Sequence, residues 1–365
     1  MGFSPQTKMN IKSVVIITVS WTLIGIFLTL YNKALLSSPN FSLGPSPIYN
    51  FNVQLILWSS ISFVGGIIGG TFLVSINSKV FRKKSFRYAL ITTAYSFTLM
   101  FVLLLMIFIT IRAKIALGET ATFQNMIDLI LEMLTSFYGL ANYFLWGTVT
   151  LLTLFMLQVN DKFGPGILRK FLYGKYFHPK VESRIFMFLD MKSSTTIAEQ
   201  LGNEKYFRLL RDLFSHLTEP ILNTEGEIYQ YVGDEIVISW PLKRGLRNAN
   251  CINCFYQIRE KLIDLEEYYN NKYAIKPTFK AGLHHGNVMA GEIGIIKKDI
   301  IYSGDILNTT ARIQSMCNEY NVDFLVSEDT LSLLKNSNQY EYKTLGEIKL
   351  KGKKQLINIS SVKQI

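Results

Sequence analysis

Acidic residues are nearly absent from the first part of this chain of 365 residues: of its 27 Asp and Glu, three fall in residues 1–159, beside 10 of its 38 Lys and Arg. A soluble domain cannot cover its surface with so few charges, whereas residues 160–365 keep 28 basic and 24 acidic side chains, an ordinary surface. The imbalance excludes a single water-soluble globule, a disordered chain and a fibrous repeat. It leaves a membrane anchor joined to a soluble domain long enough to bury its own core. Cysteine is scarce as well. The three present (Cys251, Cys254, Cys317) lie in the second part, and an odd count without a secretory framework fits a reducing compartment. Cys251 and Cys254 form a CxxC, but no further Cys or His pair follows at metal spacing, so they read as helix-packing residues. A basic nucleic-acid-binding face is also missing: of the net charge of +11 the first part carries +7 and the second only +4, with no dense Lys/Arg stripe among aromatics. No cleavage site follows the first apolar stretch, and Gln6 stands where a myristoylation signal needs Ser or Thr.

What the first part does contain is four apolar stretches, Val14–Tyr31, Phe51–Ile76, Tyr88–Ile111 and Tyr138–Val159, each near the roughly 20 residues that cross a bilayer as a helix. Lys8 and Lys12 precede the first, Lys79, Arg82, Lys83, Lys84 and Arg87 crowd the second loop, and Lys162, Arg169, Lys170 and Lys175 follow the fourth; the first loop, Leu36–Asn50, has no charge. Positive charge marks the inner side. Both termini and the soluble domain are therefore expected in the cytoplasm, on a multi-pass protein of the cell membrane. The third loop, Arg112–Phe137, has Ile127, Ile130, Leu131 and Leu134 at helical spacing and reads as an amphipathic helix lying on the outer surface. Apart from edge positions the spans hold no ionisable residue, which argues against a transport path. Gly65, Gly66, Gly69 and Gly70 form a small-residue face suited to close helix packing.

Residues 160–184 read as a connector and 185–365 as one domain. The run Ile185–Leu189 ends at Asp190 and reads as a buried strand. Ser193 to Thr196 can cap a helix that Gly202 stops, and a second helix runs from Glu204 to Leu222. Gly226–Trp240 is a hairpin turning at Val232-Gly233-Asp234. Asn248–Asn270 is helical by period; Thr278–Leu283 and Val288–Glu292 read as two strands around His284-His285-Gly286. Asn308–Asn318 reads as a helix, Phe324–Val326 as a strand, and Tyr340–Ile359 as strand-like runs around Lys351-Gly352-Lys353. The fold class is thus an all-α transmembrane part of four helices followed by an α+β sandwich, helices on a mainly antiparallel sheet.

Asp190 after a buried strand and Asp234 at a turn would meet at one edge if their strands are neighbours, and oxygen ligands of that kind suit Mg²⁺ or Mn²⁺. The helix start at Lys192–Thr195, with Ser193 and Ser194, offers free backbone N–H groups to a phosphate. Asn308 and Arg312, four apart, share a helix face and can point an amide and a guanidinium at one ligand. A solvated turn residue, a helix cap and a surface arginine remain open for these positions on spacing alone.

Five segments resemble, in order and rough spacing, the class III nucleotidyl cyclases, whose catalytic domain is the adenylate/guanylate cyclase domain with a ferredoxin-like core. They are Phe188-Leu189-Asp190-Met191-Lys192-Ser193-Ser194-Thr195, Tyr231-Val232-Gly233-Asp234, Gly282-Leu283-His284-His285-Gly286-Asn287-Val288, Gly304-Asp305-x-x-Asn308-x-x-x-Arg312 and Leu350-Lys351-Gly352-Lys353. The resemblance implies that Asp190 and Asp234, with the Met191 backbone, bind two Mg²⁺ or Mn²⁺. It assigns Asn308 to the ribose, Arg312 to the α-phosphorus and Lys351 to the terminal phosphates. It further implies a head-to-tail homodimer in which each site takes its metals from one copy and Asn/Arg from the other, converting ATP or GTP to a cyclic nucleotide and pyrophosphate. At the base-selecting places stand Gln230 and Ile301: the amide suits either base, the isoleucine offers only packing, and Tyr302 or Ser303 would have to complete the readout. Family frequency favours ATP. The alternatives are a guanylate cyclase and a catalytically silent nucleotide sensor, the latter expected to lack a metal, Asn or Arg position. Gly233-Asp234-Glu235 faintly suggests a diguanylate cyclase, in which the Asn308/Arg312 helix has no place.

Overall fold

The computed structural model describes residues 5–37, 50–79, 84–117, 123–164, 170, 173–296, 298–334, 339–349 and 356–365. The chain forms two units, residues 7–169 and 170–365.

The first unit contains α1 (Pro5–Leu36), α2 (Phe51–Lys79), α3 (Phe86–Leu117), α4 (Phe123–Thr135) and α5 (Phe137–Phe163). Among the described residues α1, α2, α3 and α5 are long and apolar enough to cross a membrane. Glycines bring α2 onto α1. A Cβ on Gly66 would stand 2.7 Å from Thr18 Cα, and one on Gly69 2.9 Å from the Trp21 ring, so any side chain there would push the helices apart. Where hydrogen-bonding groups do occur they find each other: Trp21 Nε1 donates to Thr153 Oγ1 (3.1 Å), Asn77 Nδ2 to Asp161 Oδ2 (2.8 Å), and Gln158 Nε2 to Asn77 Oδ1 (2.7 Å). In a medium without water such bonds replace hydration that the groups cannot obtain. The amphipathic helix expected in the third loop is α4. Its Ile130 and Leu134 pack against Leu105, Phe108 and Ile109 of α3. Leu131 of the same stripe stays exposed (54%).

In the second unit, β1 (Lys180–Met191), β2 (Glu227–Val232), β3 (Glu235–Pro241), β4 (Phe279–Ile293), β6 (Phe324–Ser327), β7 (Tyr340–Lys349) and β8 (Leu356–Gln364) form a sheet in the order β2-β3-β1-β4-β6-β8-β7, with β5 (Asp299–Ser303) paired to β4. All described pairings are antiparallel except β4 with β6. Between strands lie α6 (Ser194–Asn223), α7 (Leu242–Leu246), α8 (Asn250–Asp264), α9 (Glu266–Tyr273), α10 (Asp305–Ser315) and α11 (Glu328–Leu333). Strand β1 sits between β3 and β4, and its alternating side chains serve two cores. Ile185, Met187, Leu189 and Met191 join Leu209, Leu213 and Leu217 of α6 and Cys251, Ile252 and Cys254 of α8. Phe186 and Phe188 face Val288, Tyr302, Ile306 and, from the segment before β1, Tyr176. A strand covered on both faces must be apolar without a break, which is why its sequence does not alternate. The CxxC is packing: both thiols are wholly buried, and burial pushes them up to about 12. Gly282 of β4 lets α10 approach closely, since a Cβ there would lie 2.4 Å from the Gln314 nitrogen.

Several local expectations are corrected. The segments on either side of His284-His285-Gly286 are one strand, because β1 pairs with it throughout and side chains absorb the polar groups: His284 Nδ1 bonds Ser327 Oγ (2.7 Å) and Thr330 Oγ1 accepts from His285 N (3.0 Å). The long helix expected over Asn248–Asn270 breaks at Leu265, whose φ of −101° and ψ of 11° start a separate α9 with Glu266 and Glu267 in its first turn, where carboxylates suit the helix dipole. Strand β5 carries no alternation to betray it and was not expected. Gly202 does stop the first helix as expected: its φ of 70° and ψ of 161° are not helical, and α6 is two helices that meet at this kink.

Helices α6 and α9 are tied by one carboxylate oxygen. Asp212 Oδ2 accepts from Tyr268 OH (2.8 Å), Lys272 Nζ (2.6 Å) and Tyr273 OH (2.7 Å). Burial alone would raise this carboxyl, but the donors more than offset it and bring it to about 2. A folded pKa below the unfolded one gives stability that is complete above the unfolded value and is lost as pH falls through the folded value. Asp212→Asn is therefore expected to cost roughly 1–3 kcal/mol in urea unfolding at pH 7, and the gap to wild type is expected to close as pH falls from about 4 to about 2; a gap independent of pH would refute the charge-based account.

Candidate active site

The register of β1 with β3 pairs Leu189 with Ile236, so Asp190, the next residue on β1, lies beside the β2–β3 turn that holds Asp234. Gly233 supplies the positive φ (63°) that this tight turn requires. The strands are neighbours and the two carboxylates meet at one sheet edge. Asp190 is pushed up by burial and by Asp234, against the pull of Lys280. Next to the pair, Glu235 is raised to about 7 by burial and by the charges of Asp190 and Asp234.

Lys280 and Gln314 were not singled out from sequence. Lys280, directly opposite Asp190 on β4, places Nζ 3.2 Å from Asp190 Oδ2, and Gln314 of α10 donates Nε2 to the same oxygen at 3.1 Å. Only register could reveal them, as they lie 90 and 124 residues from Asp190. Tyr206, on α6 beyond the Gly202 kink, is another: burial and the Asp234 charge raise its hydroxyl, which bonds Ser194.

The pair fits a divalent cation. Asp234 Oδ2 is buried with no hydrogen-bond partner among the described residues, a costly arrangement for a carboxylate unless something else binds it. No group of three or more His, Cys, Asp or Glu is gathered for a metal among those residues, so further ligands must be backbone, water or substrate, the usual case for Mg²⁺. Met191 is buried in β1 directly after Asp190, its backbone at the same edge. Ser193 adopts a left-handed conformation (φ 56°, ψ 29°) as N-cap of α6 without a side-chain capping bond, so the first-turn N–H groups lack the usual internal acceptor.

Other expected site residues stand apart. Asn308 is exposed and Arg312 half-buried on α10, and neither side chain has a hydrogen bond or ion pair among the described residues; the inner side of the helix, with Ile306, Thr309, Thr310, Ile313 and Gln314, is buried. Gln230 is exposed on β2, and Ile301 is half-buried on β5 opposite Gly291. Their neighbours touch: the Tyr229 and Tyr302 rings lie 5.0 Å apart, and Tyr229 OH accepts from Tyr302 N (3.2 Å). Tyr302 itself is turned inward against Arg184, whose guanidinium lies 4.6 Å from the ring, so its side chain is not offered to a base; Ser303 is exposed. Lys351 lies outside the described residues.

A family model described as the adenylate and guanylate cyclase catalytic domain matches residues 178–360. The chain is 35% identical over 209 residues to adenylate cyclase 2 of Rhizobium meliloti (strain 1021), covering 57% of this chain and 58% of that protein. It is 26% identical over 184 residues to adenylate cyclase 1 of the same organism (48% and 27%), and 27% identical over 172 residues to retinal guanylyl cyclase 2 of Bos taurus (46% and 15%). It thus spans less than two thirds of these relatives' own lengths. A solved bacterial light-regulated adenylyl cyclase shares the fold, with a TM-score of 0.52 at 19% identity over 60% of this chain and 63% of the other. The family match takes in half of the sequence, including the strand that ends in Asp190, the turn that holds Asp234 and the helix of Asn308 and Arg312, and by it the chain belongs to the adenylate and guanylate cyclase catalytic-domain family.

Proposed function

We propose that this chain is a membrane-anchored adenylate cyclase that converts ATP to 3′,5′-cyclic AMP and pyrophosphate in sites shared between two copies arranged head to tail. One observation carries the reading. The groups the reaction needs are present but unpartnered within one copy, a buried Asp234 oxygen at the sheet edge and the Asn308 and Arg312 side chains on the outer side of α10. A second copy completes each set. Residues 1–159 serve as anchor, 160–184 as connector and 185–365 as catalytic domain, with both termini and the sites in the cytoplasm, as the flanking positive charges support.

In this reading Asp190 and Asp234, with the Met191 carbonyl, hold two Mg²⁺ or Mn²⁺, which when bound neutralise phosphate charge and favour ionisation of the 3′-hydroxyl. The chain's own groups do the positioning. First-turn N–H groups of α6, with Ser193 and Ser194, cradle phosphate oxygens; Lys280, already beside Asp190, and Lys351 meet the polyphosphate. From the second copy, Asn308 orients the ribose and Arg312 meets charge that builds on the α-phosphoryl oxygens as the 3′-oxygen bonds to phosphorus and pyrophosphate leaves. Gln230 and Ile301 lie against the base, with Ser303 as the exposed neighbour able to add a hydrogen bond. The rhizobial relative at 35% identity, named an adenylate cyclase, supports ATP. Guanylate cyclase is the second reading, supported by the ability of the Gln230 amide to pair with either base. A silent nucleotide sensor would lack part of the Asp190, Asp234, Asn308 and Arg312 set, and all four are in place.

Purified full-length chain is expected to form cyclic AMP from ATP with Mn²⁺, to stop with a chelator and to recover on adding the metal; turnover of GTP alone would overturn the choice of base. Asp234→Ala and Arg312→Ala are each expected to lower kcat by about 10²-fold or more. Coexpressed in equal amounts, the two inactive variants are expected to recover about a quarter of wild-type activity, because half of the dimers then hold one intact site of two. No recovery would dismiss the shared site while leaving the chemistry standing.

A further inference from the structure

The buried side of α10 is a packing layer of Ile306, Thr309, Thr310 and Ile313, with one long amide, Gln314, among them. Thr310 turns its hydroxyl back onto the Ile306 carbonyl within the helix (2.7 Å). Gln314, 6% exposed, instead sends Nε2 across to Asp190 Oδ2 on β1 (3.1 Å). An amide is costly in such a layer unless its hydrogen bonds are made, and a methionine would fill the same space without that cost. Its backbone is pinned as well: α10 lies so close to β4 that a Cβ on Gly282 would stand 2.4 Å from the Gln314 nitrogen.

The same carboxylate oxygen is met by Lys280, whose Nζ lies 3.2 Å away. The two donors differ in what they can do next. Lys280 carries a point charge on a flexible four-carbon stem, drawn to phosphate and repelled by an arriving cation. Gln314 is neutral and held by its helix, so neither force moves it. Both donors sit on Oδ2, and Oδ1 is the Asp190 oxygen left for a cation shared with Asp234, whose own Oδ2 is buried without a hydrogen-bond partner among the described residues.

We propose that Gln314 is a positioning residue for the metal site of its own chain: it grips Asp190 through Oδ2, leaves Oδ1 for the divalent cation, and keeps that grip when Lys280 swings to the polyphosphate. The inference rests on the reading of Asp190 and Asp234 as metal ligands. Groups that hold a ligating carboxylate in this way govern metal affinity by about 10- to 100-fold.

The test measures Mn²⁺ binding to full-length chain without nucleotide, from the loss of the free-ion electron paramagnetic resonance signal. Gln314→Met keeps the volume and removes the donor. It is expected to weaken Mn²⁺ binding about tenfold or more and to need correspondingly more Mn²⁺ for half-maximal cyclic-nucleotide synthesis, with the wild-type KM for ATP once Mn²⁺ saturates. Gln314→Asn, one methylene too short to reach Asp190, is expected to do the same and stands in should Gln314→Met misfold. Lys280→Met is expected to show the opposite split, a KM for ATP raised severalfold with Mn²⁺ bound no more weakly than by wild type. Wild-type Mn²⁺ affinity in a folded Gln314 variant would overturn the inference and leave the metal site standing, as would a loss of affinity confined to Lys280→Met. Absence of Mn²⁺ binding by wild type would sink the metal site itself, and the inference with it.

Discussion

Strand β1 is the constraint on which the catalytic unit rests. Its two edges are taken by β3 and β4 and its two faces by separate cores, so it can neither slide nor tilt without breaking both layers. A one-residue slip would drive Met187 and Leu189 into the face that Phe186 and Phe188 occupy. Asp190 inherits this rigidity. Its carboxylate stands where the strand leaves the core, and the hairpin bearing Asp234 is held to the same strand by β3, so both carboxylates are positioned by parts that the fold cannot relax.

At the other end of β1, Arg184 is 1% exposed and gathers Glu182 (3.0 Å), Glu227 (2.8 Å), Ser239 (2.9 Å) and the Tyr302 ring. The same two carboxylates hold lysines from the segment that precedes the strand: Lys175 meets Glu182 at 2.8 Å and Lys170 meets Glu227 at 3.2 Å. A buried charge is tolerable only when so surrounded. The network thus joins the entering chain to β2 three residues before Gln230 and to β5 one residue after Ile301.

The parts legible in the sequence are those whose signal is local. Four spans announce themselves by length, β1 by an unbroken apolar run, the hairpin by Gly233, and the family by short ordered motifs. Contacts across the sheet were hidden because they depend on register: Lys280 opposite Asp190, Gln314 reaching Asp190 from α10, and Tyr302 turned away from the place where a base-reading group was sought. The docking of α4 and the continuity of β4 through two histidines were likewise decided by neighbours, the first by α3 and the second by β1 and the Ser327–Thr330 hydroxyls, which no periodicity in those segments records.

Gly282 carries no functional group, yet the hydrogen in place of its side chain sets how near α10 can come to the sheet. That helix carries Gln314 on its buried side, reaching Asp190, and Arg312 and Asn308 on the side turned outward. One methyl group at position 282 would lift the helix and move Gln314, Arg312 and Asn308 together. The placing of three polar side chains is governed by an atom that is not there, and an inventory of chemically reactive side chains would pass over the position that gauges them all.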